Sequence, residues 1–169
     1  MKRYVPSLTL PAAALAAVAL TTAGTASAVS AGPPAAAAST AKVEIVNTKL
    51  GKVLADGRGH TLYMFGKDKN SKSACSGACA QAWPPLTTTA KPKAGAGVSA
   101  SKLETTSRSG GVKQVTYNGH PLYGFVKDTG PRQTHGQGIV AFGGKWSALS
   151  AAGRAPAQSA PQNSSPNGY

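Results

Sequence analysis

The sequence predicts a mainly β domain built from two degenerate β-hairpin repeats packed pseudo-symmetrically, with a short Cys-containing helix in the first repeat. Three observations predict it. The stretch "GHTLYMFGKD" (residues 59–68) returns as "GHPLYGFVKD" (residues 119–128), with seven of the ten positions identical. Short β-branched and aromatic runs are separated by Asp-Gly, Asn-Gly and Gly-rich turn signals, the pattern of an all-β chain. The composition shifts at both ends to low-complexity Ala, Pro, Ser and Gln, which cannot bury a core.

Taken in order, the chain opens with Lys2 and Arg3, an apolar run over 8–20 and the small-residue site "ASA" at 26–28. A basic start, a short apolar centre and a small-residue end describe a secretory signal peptide, assigned to residues 1–28. The apolar run is shorter than the roughly 20 residues that a membrane-spanning helix needs, so no transmembrane anchor is expected in the mature chain. Residues 29–41, "VSAGPPAAAASTA", read as an Ala/Pro-rich linker. Residues 42–150 are assigned to the two-repeat domain, with repeats at about 43–90 and 102–150, and residues 151–169 to a disordered tail.

In the first repeat "VEIVN" and "GKVLA" precede "DGRG" and "HTLYMF", two apolar runs flanking an Asp-Gly turn. In the second, "KLETT", "SRSGG", "VKQVTY", "NG" and "HPLYGFV" give the same plan, and Asn118-Gly119 is the strongest short hairpin signal in the chain. Strand alternation places Leu62 and Met64 on one face and Tyr63 and Phe65 on the other. Leu122 and Tyr123 divide in the same way, with Phe125 beside Tyr123. A two-stranded hairpin with apolar groups on both faces is not stable alone, so each copy needs the other. Asp68 and Asp128 follow in turn-like "KDKN" and "KDTGP", where a carboxylate accepts hydrogen bonds from the following amides. The sharper alternative is a pair of carboxylates converging across a pseudo-twofold axis. After Asp68 the first copy continues "SKSACSGACAQAWPPL", with Ser73 expected to cap a short helix that Trp83-Pro84-Pro85 ends. Trp83 and Trp146 fall near-equivalently in the two copies and are expected to seal a shared core.

These stretches, with "NGHPLYGFVKD" and "GGKW", resemble the bacterial secreted-repeat lipoprotein family, whose signature is Tyr, any residue, an aromatic, two residues, then Asp. Tyr63, Phe65 and Asp68 match it, as do Tyr123, Phe125 and Asp128. The resemblance implies a cell-envelope location and a family without an assigned activity. The chain departs from a lipoprotein in having no cysteine near the cleavage site, so lipid attachment there is not expected.

Cys75 and Cys79 are the only cysteines. In an oxidising compartment an even pair points to a disulfide. On a helix the i, i+4 spacing sets both sulfurs on one face, with Trp83 a step further along it. The alternative is an extracellular metal-binding or redox protein that uses the cysteines and a histidine, a reduced pair binding a soft metal of the copper type with His60 or His120. His60, His120 and His135 lack close metal-ligand spacing to one another, so such a site is composite. No Gly-x-Ser-x-Gly elbow, His-Glu-x-x-His motif or phosphate loop is present. The chain therefore reads as a non-enzymatic module that needs no cofactor. The 18 Lys and Arg, less Lys2 and Arg3, leave 16 against 5 Asp and Glu, a balance near +11 for the mature chain. Outside a cell that charge favours anionic wall polymers or envelope surfaces. No arginine-rich run or aromatic-basic groove points to specific nucleic-acid binding.

Overall fold

The computed structural model describes residues 39–156. The signal peptide assigned to 1–28, most of the linker assigned to 29–41 and most of the tail assigned to 151–169 lie outside these residues. In chain order the first repeat supplies β1 (Lys42–Thr48), β2 (Gly51–Asp56), β3 (Tyr63–Phe65), the helix α1 (Ala78–Ala82) and β4 (Thr87–Thr88). Then come β5 (Lys93–Ala94), β6 (Leu103–Ser107), β7 (Lys113–Tyr117), β8 (His120–Pro121), β9 (Val140–Ala141) and β10 (Gly144–Ala148). The fold is mainly β with two repeat regions and one short α-helix among the described residues.

The two copies build the same local unit. In the first, β1 and β2 pair antiparallel, and the chain turns back at Asp56, whose Oδ1 accepts from the amides of Arg58 and His60, each at 2.9 Å. Leu62 then donates its amide to the Leu54 carbonyl at 2.8 Å. In the second, β6 and β7 pair antiparallel and the turn is Asn118-Gly119, with φ of 50° and 79°. Those angles define the type I′ hairpin turn for which Asn-Gly is the preferred pair. Leu122 donates to the Val115 carbonyl at 3.0 Å, the counterpart of Leu62 on Leu54.

Neither unit is completed by its own repeat. Leu149, three residues after Trp146, donates to the Leu62 carbonyl at 3.1 Å and accepts from the Leu54 amide at 2.7 Å. Leu86, three residues after Trp83, donates to Leu122 at 2.9 Å and accepts from Val115 at 2.8 Å. Each repeat thus lends its final segment to the other's hairpin. At the seam Tyr63 and Tyr123 exchange both backbone hydrogen bonds, 2.8 Å one way and 3.0 Å the other.

The core follows the strand alternation. Leu62 and Leu122 lie in one apolar cluster with Val43, Leu54, Val115 and Leu149, and Met64 packs against it. Tyr63, Phe65 and Tyr123 lie in the other, with Cys75, Cys79, Trp83 and Trp146. Burying these faces supplies the main driving force, on the order of 1.5–3 kcal/mol for each fully buried large side chain.

Two local expectations are corrected. Ser73 does not cap the helix: α1 begins after Gly77, with no side-chain cap, because the Ser73 hydroxyl accepts the Cys75 amide at 3.1 Å instead. Only Cys79 lies within α1, and Cys75 precedes it, so the cysteines are not two sites on one helical face. Hydrogen bonds also reach described residues on either side of 42–150. The Ser39 carbonyl accepts from the Thr89 amide at 3.0 Å. The Ala151 carbonyl accepts from the Tyr117 hydroxyl at 2.9 Å, and Gly153 is buried beside Asn118.

Candidate functional site

The motif residues meet at the seam between the repeats. The Tyr63 hydroxyl, from the first copy, donates to Asp128 Oδ2 of the second at 2.5 Å. The Tyr123 hydroxyl, from the second, donates to Asp68 Oδ2 of the first at 2.8 Å. Each motif therefore supplies a phenol to its partner and a carboxylate in return. The carboxylates are fixed by equivalent turns, since the amides of Asp68 and Asp128 donate to the carbonyls of Phe65 and Phe125, both at 3.0 Å. The remaining oxygens are also engaged. Asp68 Oδ1 accepts from the Ala74 amide at 2.8 Å, and Asp128 Oδ1 from the His135 amide at 2.9 Å. The carboxylates do not form a shared acid pair; each is spent on the phenol of the opposite repeat.

Between these crossed bonds lies a continuous aromatic stack. Trp83 and Trp146 face each other at 4.0 Å and 2°. Phe65 stacks on the outer face of Trp146 and Phe125 on that of Trp83, both at 4.1 Å. Tyr63 meets Trp83 edge-on at 5.4 Å, and Tyr123 meets Trp146 edge-on at 5.2 Å. Edge-to-face pairs of this kind add roughly 0.5–1.5 kcal/mol beyond area burial. The stack alternates between repeats, so the two copies are held by their rings as well as by their polar tips. The Trp146 Nε1–H is buried without a partner among the described residues, which leaves stacking as the interaction that holds that ring.

Burial sets the electrostatics. The phenol of Tyr63 is pushed above the ordinary tyrosine range by desolvation first and then by the adjacent Asp128 carboxylate. Tyr123 moves the same way, again chiefly through desolvation, with Asp68 adding to it. Asp68 is itself raised by burial, against the opposing hydrogen bonds from Ala74 and Tyr123 and the nearby positive charge of Arg108. Both tyrosines therefore stay protonated as donors, and neither is an exposed nucleophile.

Copy-specific groups complete the seam. Arg108 reaches from the predicted "SRSGG" turn to Ser73 Oγ at 2.6 Å, the Cys75 carbonyl at 2.6 Å and Gln114 Oε1 at 2.7 Å. Ser73 Oγ also lies 2.7 Å from the Tyr123 hydroxyl. On the other side Gly136 donates its amide to the Tyr63 oxygen at 3.2 Å, and His135 Nδ1 lies 3.0 Å from Asp128 Oδ1. Sequence reasoning missed Arg108, Gln114, His135 and Gly136 as partners of the motif. They have no counterpart in the other copy, so the repeat comparison carries no signal for them.

Cys75 and Cys79 are joined in a disulfide with their Cα atoms 5.3 Å apart, both sulfur-bearing residues buried against Trp83. In this state neither offers a thiolate to a metal. His60 Nδ1 faces Asp56 Oδ2 at 3.5 Å, and His120 stands on β8 close enough for its charge to act on Asp68. The structure does not bring His60, His120 and the cysteines together as one cluster; no group of three or more His, Cys, Asp and Glu side chains with metal-binding geometry occurs among the described residues.

A family profile described as a secreted repeat of unknown function matches residues 44–87 and 104–150. The two matches coincide with the two structural units, each closing just after the leucine that is lent to the other hairpin. The chain belongs to this family of secreted repeats, and it is a two-repeat, secreted member. Searches of curated proteins and of solved structures find no match. Among the described residues no helix is long and apolar enough to cross a membrane.

Proposed function

We propose that this protein is a non-enzymatic binding and structural module of the bacterial cell envelope, drawn to anionic wall polymers by its surface charge. The observation that carries the reading is where the few carboxylates go. Asp68 and Asp128 turn inward onto Tyr123 and Tyr63, and Asp56 caps its own turn. Glu44 pairs with Lys42 at 2.6 Å, which is the one Lys or Arg within salt-bridge distance of a carboxylate among the described residues. Lys49, Lys52, Arg58, Lys69, Lys91 and Lys127 are all exposed. Among the described residues Glu104 is the one side-chain carboxylate left exposed without a partner, so the surface is a scatter of largely uncompensated cations, which suits an extended polyanion better than a single small ligand. The motif supports the structural half of the reading, because its reactive atoms are enclosed at the seam.

The test is co-sedimentation of the purified mature protein with isolated bacterial cell walls, with and without extraction of their anionic polymers, over a salt series. Retention is expected at low salt, with release by about 0.5 M salt, where screening shortens to a few ångströms. Retention that ignores salt, or that survives extraction of the anionic polymers, overturns the reading.

A further inference from the structure

We infer that the β9–β10 hairpin tip is an interfacial anchor that inserts into the surface of an anionic phospholipid bilayer. Its turn is Phe142-Gly143, with φ of 56° and 82°. These are the angles of the Asn118-Gly119 turn, so the same chain closes two hairpins with one turn geometry. At the first it uses Asn, which tolerates the left-handed region. At the second it uses a bulky phenylalanine, which that region disfavours. Folding alone gives no reason for the substitution, and the ring is not buried in compensation: Phe142 is 45% exposed.

The neighbours of the ring fit an interface. Ile139 and Ala141 pack against the aromatic core, while Val140, between them in the alternation, and the turn residue Phe142 are both left exposed. Val140 is 76% exposed, the most exposed of the large apolar residues among those described. Lys145 lies directly opposite Val140 in the β9–β10 register. A side chain at Gly143 would meet Lys67 Nζ at 3.4 Å, so a second lysine stands at the turn itself. Strands β3, β9 and β10 carry no Asp or Glu, and the nearest, Asp68, is committed to Tyr123 and Ala74. β9 is also an edge strand, paired only with β10, so no other described strand covers the tip.

Two exposed apolar side chains beside two lysines describe a surface that wants an apolar phase under an anionic layer. A phospholipid bilayer with anionic headgroups supplies both within one interface. A wall polymer supplies the charge but no medium for Phe142 and Val140. This role is therefore separate from the polymer attraction proposed above and uses different residues.

The experiment measures partition of the purified protein onto vesicles of phosphatidylcholine containing about a third phosphatidylglycerol, an anionic fraction high enough for each nearby lysine to contribute. Pure phosphatidylcholine vesicles serve as the comparison. Binding to the anionic vesicles is expected to weaken about tenfold in Phe142→Asn, the order of effect for withdrawing one aromatic ring from an apolar phase. That variant restores the residue the turn prefers, so its thermal stability should hold or rise, and lost binding will not reflect misfolding. Its retention by isolated walls should match the native protein. The pair Lys67→Gln and Lys145→Gln should reduce the preference for anionic over neutral vesicles more than the pair Lys52→Gln and Lys91→Gln, which removes the same charge outside the β3–β10–β9 sheet. Equal vesicle binding by Phe142→Asn and the native protein overturns the inference. So does a parallel loss on walls, or a tip that proves to mediate self-association in sedimentation velocity.

Discussion

Removing the Tyr63 hydroxyl tests whether the crossed phenol–carboxylate bonds hold the two repeats together. In Tyr63→Phe the ring, its edge contact with Trp83 and its place in the core are preserved, and one donor is lost. Asp128 is the residue that suffers. Its side chain is 1% exposed, and its Oδ2 has Tyr63 as its protein partner, while Oδ1 is held by His135. Water cannot readily replace the phenol there. A hydrogen bond to a charged group is worth about 1.5–3 kcal/mol, and leaving such an acceptor unsatisfied in the interior costs toward the top of that range or beyond. The expected loss is therefore about 3 kcal/mol. The symmetry-related change gives the internal control. Asp68 is only partly buried, so in Tyr123→Phe solvent reaches the abandoned oxygen, and about 1–1.5 kcal/mol is expected. Urea unfolding with the disulfide intact, followed by the fluorescence of the buried Trp83 and Trp146, measures both. Adding Asp128→Asn to Tyr63→Phe should recover part of the loss, since a neutral side chain is cheaper to leave unpaired. Equal costs for the two tyrosine variants, or a cost for Tyr63→Phe below about 0.5 kcal/mol, would refute the claim that the buried exchange is a main tie between the repeats.

The remaining expectations concern the same seam. The native phenols of Tyr63 and Tyr123 keep their protons above the ordinary tyrosine pKa of 10.0, so the folded state binds more protons than the unfolded one there. The stability they contribute is complete below pH 10.0 and falls as pH rises past it, by up to about 1.4 kcal/mol per pH unit for each tyrosine. Denaturation midpoints across that range should show a shallower slope in Tyr63→Phe, and native phenols that titrate with exposed ones would contradict the sign. Gly136 has no room for a side chain, since a Cβ would fall 2.7 Å from the Trp83 ring and 2.9 Å from Tyr63. Gly136→Ala is expected to cost about 1–3 kcal/mol by overpacking, while the same change at Gly138, where a Cβ would meet nothing, should cost only the backbone strain of its positive φ. Reducing the Cys75–Cys79 bond should cost about 2 kcal/mol, the small value for so short a loop, seen as a lower urea midpoint with reductant. Separately expressed halves ending and starting near residue 100 should each be unfolded, because Leu86 and Leu149 complete each other's hairpins; a folded half, seen as dispersed amide resonances, would count against the exchange.

Much of this fold was legible because it depends on local signals. Asn118-Gly119 fixes a turn by backbone geometry alone, and the Leu62/Tyr63 alternation fixes which face each residue takes. The repeat itself carried the larger message, that each hairpin needs the other. What could not be read was where the contacts cross. The sequence shows two tyrosines and two aspartates in matching positions, a pattern equally consistent with each pair closing within its own copy. Only the antiparallel meeting of Tyr63 with Tyr123 sends each phenol to the other copy's turn. The parallel pairing of β5 with β1 was invisible for a similar reason, since two residues of strand have no pattern to detect. Ser73 was misassigned because a serine before a short helix has the composition of a cap. The competing partners, Arg108 and Tyr123, arrive from the second repeat.

The crossing also explains why the motif is spaced as it is. Tyr and the following aromatic are two apart, so a strand puts both on the core face, the phenol toward the seam and the second ring into the stack. The Asp is three further on, where the chain has left the strand and its amide closes the turn on the aromatic's carbonyl. In the folded pair that carboxylate does not serve the tyrosine of its own copy but lies across from the tyrosine that enters from the opposite direction, Asp68 from Tyr123 and Asp128 from Tyr63. A single copy therefore carries an unsatisfied phenol and an unsatisfied carboxylate, both at the face its hairpin must bury. A second copy of the same motif, turned about the Tyr63–Tyr123 bridge, satisfies both at once. The motif encodes pairing between repeats, which leaves the outer surface, with its cations and the Phe142 turn, as the part of the molecule available to meet anything else.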